Sequence, residues 1–147
     1  TSHDCACPVG YTVEAGGQRM TLCTDLGVVT RGVLEGVRGA GLLVGEFNYD
    51  LEMLRSGPYP ARLKERILGR QGHLSNETGG KLAAWAVQQG TGRVVLAHLS
   101  KENNAPGTAL TAAERAMSAI QARVGKDVEL TVAPREENSG WMEVPGC

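Results

Sequence analysis

The sequence predicts an α/β fold. Segments of strand-like apolar character alternate with segments of helical periodicity along most of the chain. Gly16-Gly17 sits between the first two strand-like runs, which is a hairpin signal. The length of 147 residues, with 41% hydrophobic and 21% charged residues, suits one globular domain with its own core.

The elements follow in order. Residues 11–15 and 18–24 flank the Gly16-Gly17 turn as two strands, and the second ends at Asp25-Leu26-Gly27. Residues 30–38 read as a short helix with Val33, Leu34 and Val37 on one face, stopped by Gly39 and Gly41. Leu42-Leu43-Val44-Gly45 is a buried strand that ends at Glu46-Phe47-Asn48. Residues 50–55 form a helical turn, broken by Ser56-Gly57-Pro58-Tyr59-Pro60, and residues 61–68 form the next helix. Ser75 and Asn76 are natural N-caps for a helix over residues 77–89. The apolar strand over residues 93–99 leads to His98 and the polar run Ser100-Lys101-Glu102-Asn103-Asn104. Thr111-Ala112-Ala113-Glu114 fits a capping box and predicts a helix over residues 111–123. Residues 127–132 are the last strand, and residues 135–147 a polar tail in which Trp141 offers a docking point. The organisation is therefore one unit over residues 1–134 plus the tail.

Composition excludes several roles. A net charge of −1 gives no global field for nucleic acid, so such a role must come from a local patch. No apolar run approaches the roughly 20 residues that span a bilayer, so no membrane partner is expected. The chain opens Thr1-Ser2-His3-Asp4 without an initiator Met, which implies processing or a longer parent chain. Four cysteines (Cys5, Cys7, Cys23 and Cys147) are too few, in a chain this long, to require a disulfide framework, so reduced thiols and a cytoplasmic location are expected. Cys5-x-Cys7 beside His3 lacks zinc-finger spacing and reads as ordinary small residues.

The chemistry gathers at strand ends. Asp25, Glu46 and His98 each follow an apolar strand, and ligands collect at such ends in α/β layers. His73 precedes a helix start, a position that favours anions, and His3 lies just before the hairpin. Imidazole and carboxylate together suit a transition-metal or phosphate site. The alternative is that Asp25 caps a turn, His98 is a hydrogen-bonded loop residue and His73 belongs to a helix cap.

Several motifs carry a resemblance. Thr24-Asp25-Leu26-Gly27, Glu46-x-Asn48-Tyr49-Asp50, Gly57-Pro58-Tyr59-Pro60, Gly72-His73-Leu74-Ser75-Asn76 and Leu96-Ala97-His98-Leu99-Ser100-Lys101-Glu102-Asn103-Asn104 resemble the WalJ/YycJ-like group of the metallo-β-lactamase superfamily, related to ribonuclease Z-like enzymes. The resemblance implies the second half of a four-layer αββα sandwich. It implies a site for two divalent metal ions, zinc or manganese, with His3, Asp25 and His98 as metal ligands and Asp25 bridging. It makes His73 and Asp25 catalytic, His73 as proton donor, with Ser75, Asn76, Lys101 and Asn103 at the substrate. The family's H-x-H-x-D-H motif is absent, so most ligands would come from a missing N-terminal half. Tyr49 stands where many relatives have His.

The implied function is metal-dependent phosphodiester hydrolysis, specifically exonuclease action on DNA, once that half is supplied. The alternatives are lactone or thioester hydrolysis on the same fold, or an inactive fragment that acts through assembly, including homo-oligomers. Arg55, Arg62, Lys64, Arg66 and Arg70 outnumber nearby acids and offer either a phosphate track or a solvated helix face.

Overall fold

The computed structural model describes residues 1–145. Five strands form one sheet in the order β1-β2-β3-β4-β5. Strands β1 (Tyr11–Ala15) and β2 (Gln18–Cys23) pair antiparallel across Gly16 and Gly17. Both glycines have positive φ (58° and 77°), the left-handed conformation that a tight hairpin turn needs. Strands β3 (Leu42–Glu46), β4 (Arg93–Ala97) and β5 (Glu129–Val132) then add in parallel, each reached through at least one helix. Cys147, one of the four thiols considered above, lies outside the described residues. Cys5 and Cys7 are free and exposed, and Cys23 is free and buried.

Helices α1 (Arg31–Val37), α2 (Leu51–Ser56), α3 (Ala61–Leu68), α4 (Asn76–Gln88) and α5 (Pro106–Ala119) complete the chain. Leu43, Val94 and Leu96 share the main core with Leu82, Ala83 and Ala86 of α4 and with Ala109, Ala113 and Met117 of α5. Their strand neighbours in the ladder Tyr11–Leu22–Val44–Val95–Thr131 face the other way. On that side Tyr11 is 60% and Val13 55% exposed, so the sheet has one helix-covered face and one partly open apolar face. A smaller core of Tyr49, Leu54 and Ile67 holds α2 against α3.

Two expectations are corrected. Helix α5 starts at Pro106, not Thr111, and no side chain caps it. Pro at the first helical position presets φ and has no N–H to leave unpaired, so it starts the helix by itself. Thr111 is therefore a mid-helix residue. Trp141 is fully exposed and docks nowhere. The tail touches the body instead through Arg135, which donates to the Leu99 carbonyl, and through Glu143, whose carbonyl accepts from Arg93 at 2.7 Å. No helix among the described residues is long and apolar enough to cross a membrane.

Candidate metal centre

Parallel strands β2, β3 and β4 all end on the same edge, and each delivers one polar residue there: Asp25, Glu46 and His98. Asp25 and His98 have φ of 57° and 59°, the left-handed region that non-glycine residues rarely adopt. Two such residues, at the ends of the strands on either side of β3, turn their side chains out of the strand path and store backbone strain, a pattern concentrated at functional sites. The surrounding loops hold this arrangement. Asn48 Nδ2 donates to the carbonyl of His98 at 2.8 Å, and the amides of Phe47 and Asn48 donate to Ala97 and Leu74.

Glu46 is the hub. Its side chain is fully buried. Oε1 accepts from His98 Nδ1 at 2.7 Å, His73 Nδ1 at 2.9 Å and the Asp25 amide at 3.1 Å. Oε2 accepts from the amides of Leu26 and Leu74, both at 2.9 Å. Burial alone would push this carboxyl up. The donors from His73, His98, Leu74 and Leu26 outweigh it and hold the group down at about 2. Glu46 is therefore ionised and accepts only, so both imidazoles present an N–H at Nδ1. The bond to Glu46 in turn raises the pKa of His98, against the opposing effect of burial.

One ligand atom each from Asp25, Glu46, His73 and His98 lies within 4.8 Å of the others. Glu46 is nonetheless the poorest ligand of the four, because five donors already occupy its two oxygens. The free atoms are elsewhere. His98 Nε2 faces Asp25 Oδ1 at 3.8 Å, and His3 Nε2 faces the same oxygen at 3.6 Å. His3 Nδ1 is engaged by the carbonyl of Gly72 at 2.9 Å. His3 and His98 thus share one design, with Nδ1 tied to a carbonyl or carboxylate and Nε2 turned to carboxylate oxygen: Asp25 for His98, and both Asp25 and Asp4, the latter at 3.4 Å, for His3. Metal-binding histidines are oriented in this way. Two ligands on one tetrahedral zinc, each about 2.0–2.1 Å from the ion, sit roughly 3.3 Å apart. The observed separations are within a few tenths of an ångström of that, so the donor set fits a divalent ion.

The three rings form a row, with centroids 4.7 Å apart from His3 to His73 and 5.2 Å from His73 to His98. All four residues predicted as ligand or catalytic, His3, Asp25, His73 and His98, come together here. The four predicted at the substrate divide. Ser75 caps α4, its oxygen accepting from the Thr78 amide at 3.2 Å. Lys101 is exposed in the turn after β4. Asn76 and Asn103 face inward, at 3% and 0% exposure. Asn76 exchanges hydrogen bonds with Asn104, whose Nδ2 also donates to the carbonyl of Phe47, and the Asn103 carbonyl accepts from the Asp50 amide. The Asn76 side chain and the Asn103 backbone brace the loops beside the site. Tyr49 is buried, and its phenol is raised by burial and then by the charge of Glu46, so it stays protonated. In the basic stretch Arg66 makes a bidentate pair with Asp4, Arg55 pairs with Glu52 and Lys64 donates to the carbonyl of Arg55.

Two proteins named as exodeoxyribonucleases match this chain. YycJ of Bacillus anthracis is 40% identical over 103 residues, 70% of this chain and 39% of its own length. WalJ of Streptococcus pneumoniae is 42% identical over 103 residues, again 70% of this chain and 38% of its own length. The metallo-β-lactamase fold protein YhfI from Bacillus subtilis superposes on 90% of this chain and 44% of its own, with a TM-score of 0.63 at 18% identity. The chain has the metallo-β-lactamase fold and is similar to YycJ and WalJ over 70% of its length. Zn(2+)-bound PqqB from Methylobacterium extorquens, of the same architecture, covers 86% of this chain and 41% of its own at 26% identity, with a TM-score of 0.52. No family model matches. The chain spans about two fifths of the length of the WalJ and YycJ relatives.

Sequence reasoning placed Glu46 at a strand end beside Asp25 and His98 but gave it no role in the site. It was visible as a strand-end carboxylate, but its fivefold engagement depends on loops from three distant segments converging on it. In a sequence, only its position between Asp25 and His98 in the strand order hints at the role.

Proposed function

We propose that the complete protein is a metal-dependent phosphodiester hydrolase acting on DNA, with this chain supplying one side of its metal centre. The observation that carries the reading is the convergence of His3 Nε2 and His98 Nε2 on Asp25 Oδ1, with Glu46 and Gly72 fixing the ring tautomers. The names of the WalJ and YycJ relatives support the substrate class. His3, Asp25 and His98 would hold divalent metal, two ions of zinc or manganese in this reading, and the remaining ligands would come from residues outside this chain. Metal bound there supplies Lewis acidity toward a phosphoryl oxygen and an activated water as nucleophile.

The chain's own residues do the rest. Asp25 would be the ligand common to the two ions. Glu46 keeps His98 and His73 oriented. His73, its Nδ1–H held by Glu46, would as an imidazolium give its Nε2 proton to the leaving sugar oxygen as the bond to phosphorus breaks and be left as the neutral Nδ1–H ring, a contribution of about 10²–10⁴-fold. Ser75 and Lys101, at the α4 start and in the turn after β4, contact backbone phosphates.

The test is cleavage of a 5′-phosphorylated duplex by the complete polypeptide with added manganese or zinc, beside a panel of bis-p-nitrophenyl phosphate, a lactone and a thioester. The reading predicts that the two phosphodiesters turn over and that Asp25→Ala abolishes both. Equal activity of Asp25→Ala and wild type, or hydrolysis confined to the lactone or thioester, contradicts it.

A further inference from the structure

Beside His98, on the β5 side of the centre, the surface dips into a groove of about 380 Å³. Leu99, Pro106, Val132, Ala133 and Pro134 line it together with His98 and the exposed Arg135. We propose that this groove seats the nucleotide adjacent to the scissile phosphate, a subsite that rests on the phosphodiesterase reading above.

Three observations support this occupant. The groove is continuous with the candidate metal centre: His98 belongs to both, and its side chain is 42% exposed while its Nδ1 is held by Glu46. Its size lies inside the roughly 300–1,000 Å³ of small-molecule sites, which suits one nucleotide unit. Its charge is complementary. Among the described residues Arg135 reaches only the Leu99 carbonyl, at a long 3.3 Å, through one of its nitrogens. The other donors of the fork are available for a phosphate. On the opposite side of the centre Arg66 is committed to Asp4, bidentately.

The wall chemistry also sets the specificity. Between His98 and Arg135 the lining side chains are aliphatic and carry no hydrogen-bond donor or acceptor. Such walls press on a base or sugar without reading a base edge, so the subsite accepts all four nucleotides. Discrimination of bases requires side-chain hydrogen bonds, which these walls do not offer.

The experiment uses the complete polypeptide with manganese, with 2′-deoxyadenosine 5′-monophosphate as the probe. Calorimetric binding of the probe is measured for wild type, Arg135→Ala, Arg135→Lys and Ala133→Trp, whose indole would fill the groove. Steady-state kinetics on 5′-phosphorylated duplexes differing in the terminal base run in parallel. The proposal predicts probe affinity and KM both worse by about tenfold in Arg135→Ala, in line with loss of a charged hydrogen bond. Arg135→Lys should recover part of the loss, Ala133→Trp should abolish probe binding, and kcat/KM should agree among the four terminal bases to within a few-fold. Probe affinity and KM equal to wild type in both Arg135→Ala and Ala133→Trp would overturn it, as would a strong preference for one terminal base. Failure of the wild type to cleave any phosphodiester removes the activity reading instead. In that case probe binding that is lost in Ala133→Trp still supports the groove, and an absence of probe binding overturns it.

Discussion

Glu46 Oε1 lies 2.7 Å from His98 Nδ1, and the same oxygen lies 2.9 Å from His73 Nδ1. One buried carboxylate therefore fixes the protonation and orientation of two imidazoles from two different loops. It also caps the amides of Asp25, Leu26 and Leu74, so the three segments that carry Asp25, His73 and His98 share a single anchor.

Glu46→Gln should damage metal binding without touching a proposed ligand. A glutamine presents one NH2 where Glu46 has an accepting oxygen, so it faces N–H groups donor to donor. Removing such an orienting partner typically costs about 10–100-fold in metal affinity. Competition with a coloured chelator in the complete protein measures this. Unchanged affinity would refute the role given to Glu46.

Gly79 should be intolerant of a side chain. A Cβ there would lie 2.3 Å from the carbonyl oxygen of Glu46, so α4 packs directly on the end of β3. Gly79→Ala must push helix from strand and is expected to lower stability by about 1–3 kcal/mol. Gly107, in the first turn of α5, has open space around its Cβ position. Gly107→Ala should be neutral or stabilising by up to about 1 kcal/mol. Urea denaturation of the two variants should move the midpoint in opposite directions, or only for Gly79→Ala.

Asn104 should behave as a structural residue rather than a substrate contact. Its amide donates to Phe47 at 2.7 Å, Asn48 at 3.1 Å and Asn76 at 2.8 Å, and its oxygen accepts from Asn76 and Ala105, both at 2.9 Å. Asn104→Ala leaves buried groups unpaired, at a cost of about 1–3 kcal/mol. The measurable outcome is a lower denaturation midpoint together with faster amide exchange at Asn48 and Ala105. A midpoint equal to wild type would show that the loops stand without it.

The cysteines should differ sharply in reactivity. Burial first, and then the charge of Glu46, pushes the Cys23 thiol up to about 12, so it is protonated and inaccessible at pH 8. Cys5 and Cys7 are exposed. Iodoacetamide at pH 8 followed by peptide mass mapping should label Cys5 and Cys7 in the folded protein and Cys23 only after denaturation. Rapid labelling of Cys23 in the folded state would contradict the packing behind β2.

The hairpin, the parallel strands and α3 were legible because their signals are local: Gly16-Gly17, apolar runs closed by polar residues, and the break that ends at Pro60. Helix α5 was misread because Thr111-Glu114 satisfies a capping box by sequence while Pro106 had already started the helix. His3, Asp25, His73 and His98 were singled out through strand ends and motif resemblance, and they do cluster. Asn76 and Asn103 were placed at the substrate through the resemblance, and nothing in their sequence neighbours shows that they are buried. The demands on Glu46 were hidden for the same reason: its partners lie 20 to 52 residues away.

The central claim is that His3, Asp25 and His98 hold metal while Glu46 stands behind them. Anomalous diffraction from crystals of the complete protein loaded with zinc tests it most directly. The account predicts peaks bonded to Nε2 of His3, Nε2 of His98 and a carboxylate oxygen of Asp25, with both oxygens of Glu46 still on their N–H donors. A peak coordinated by Glu46 itself, or by Nδ1 of His98, would contradict it.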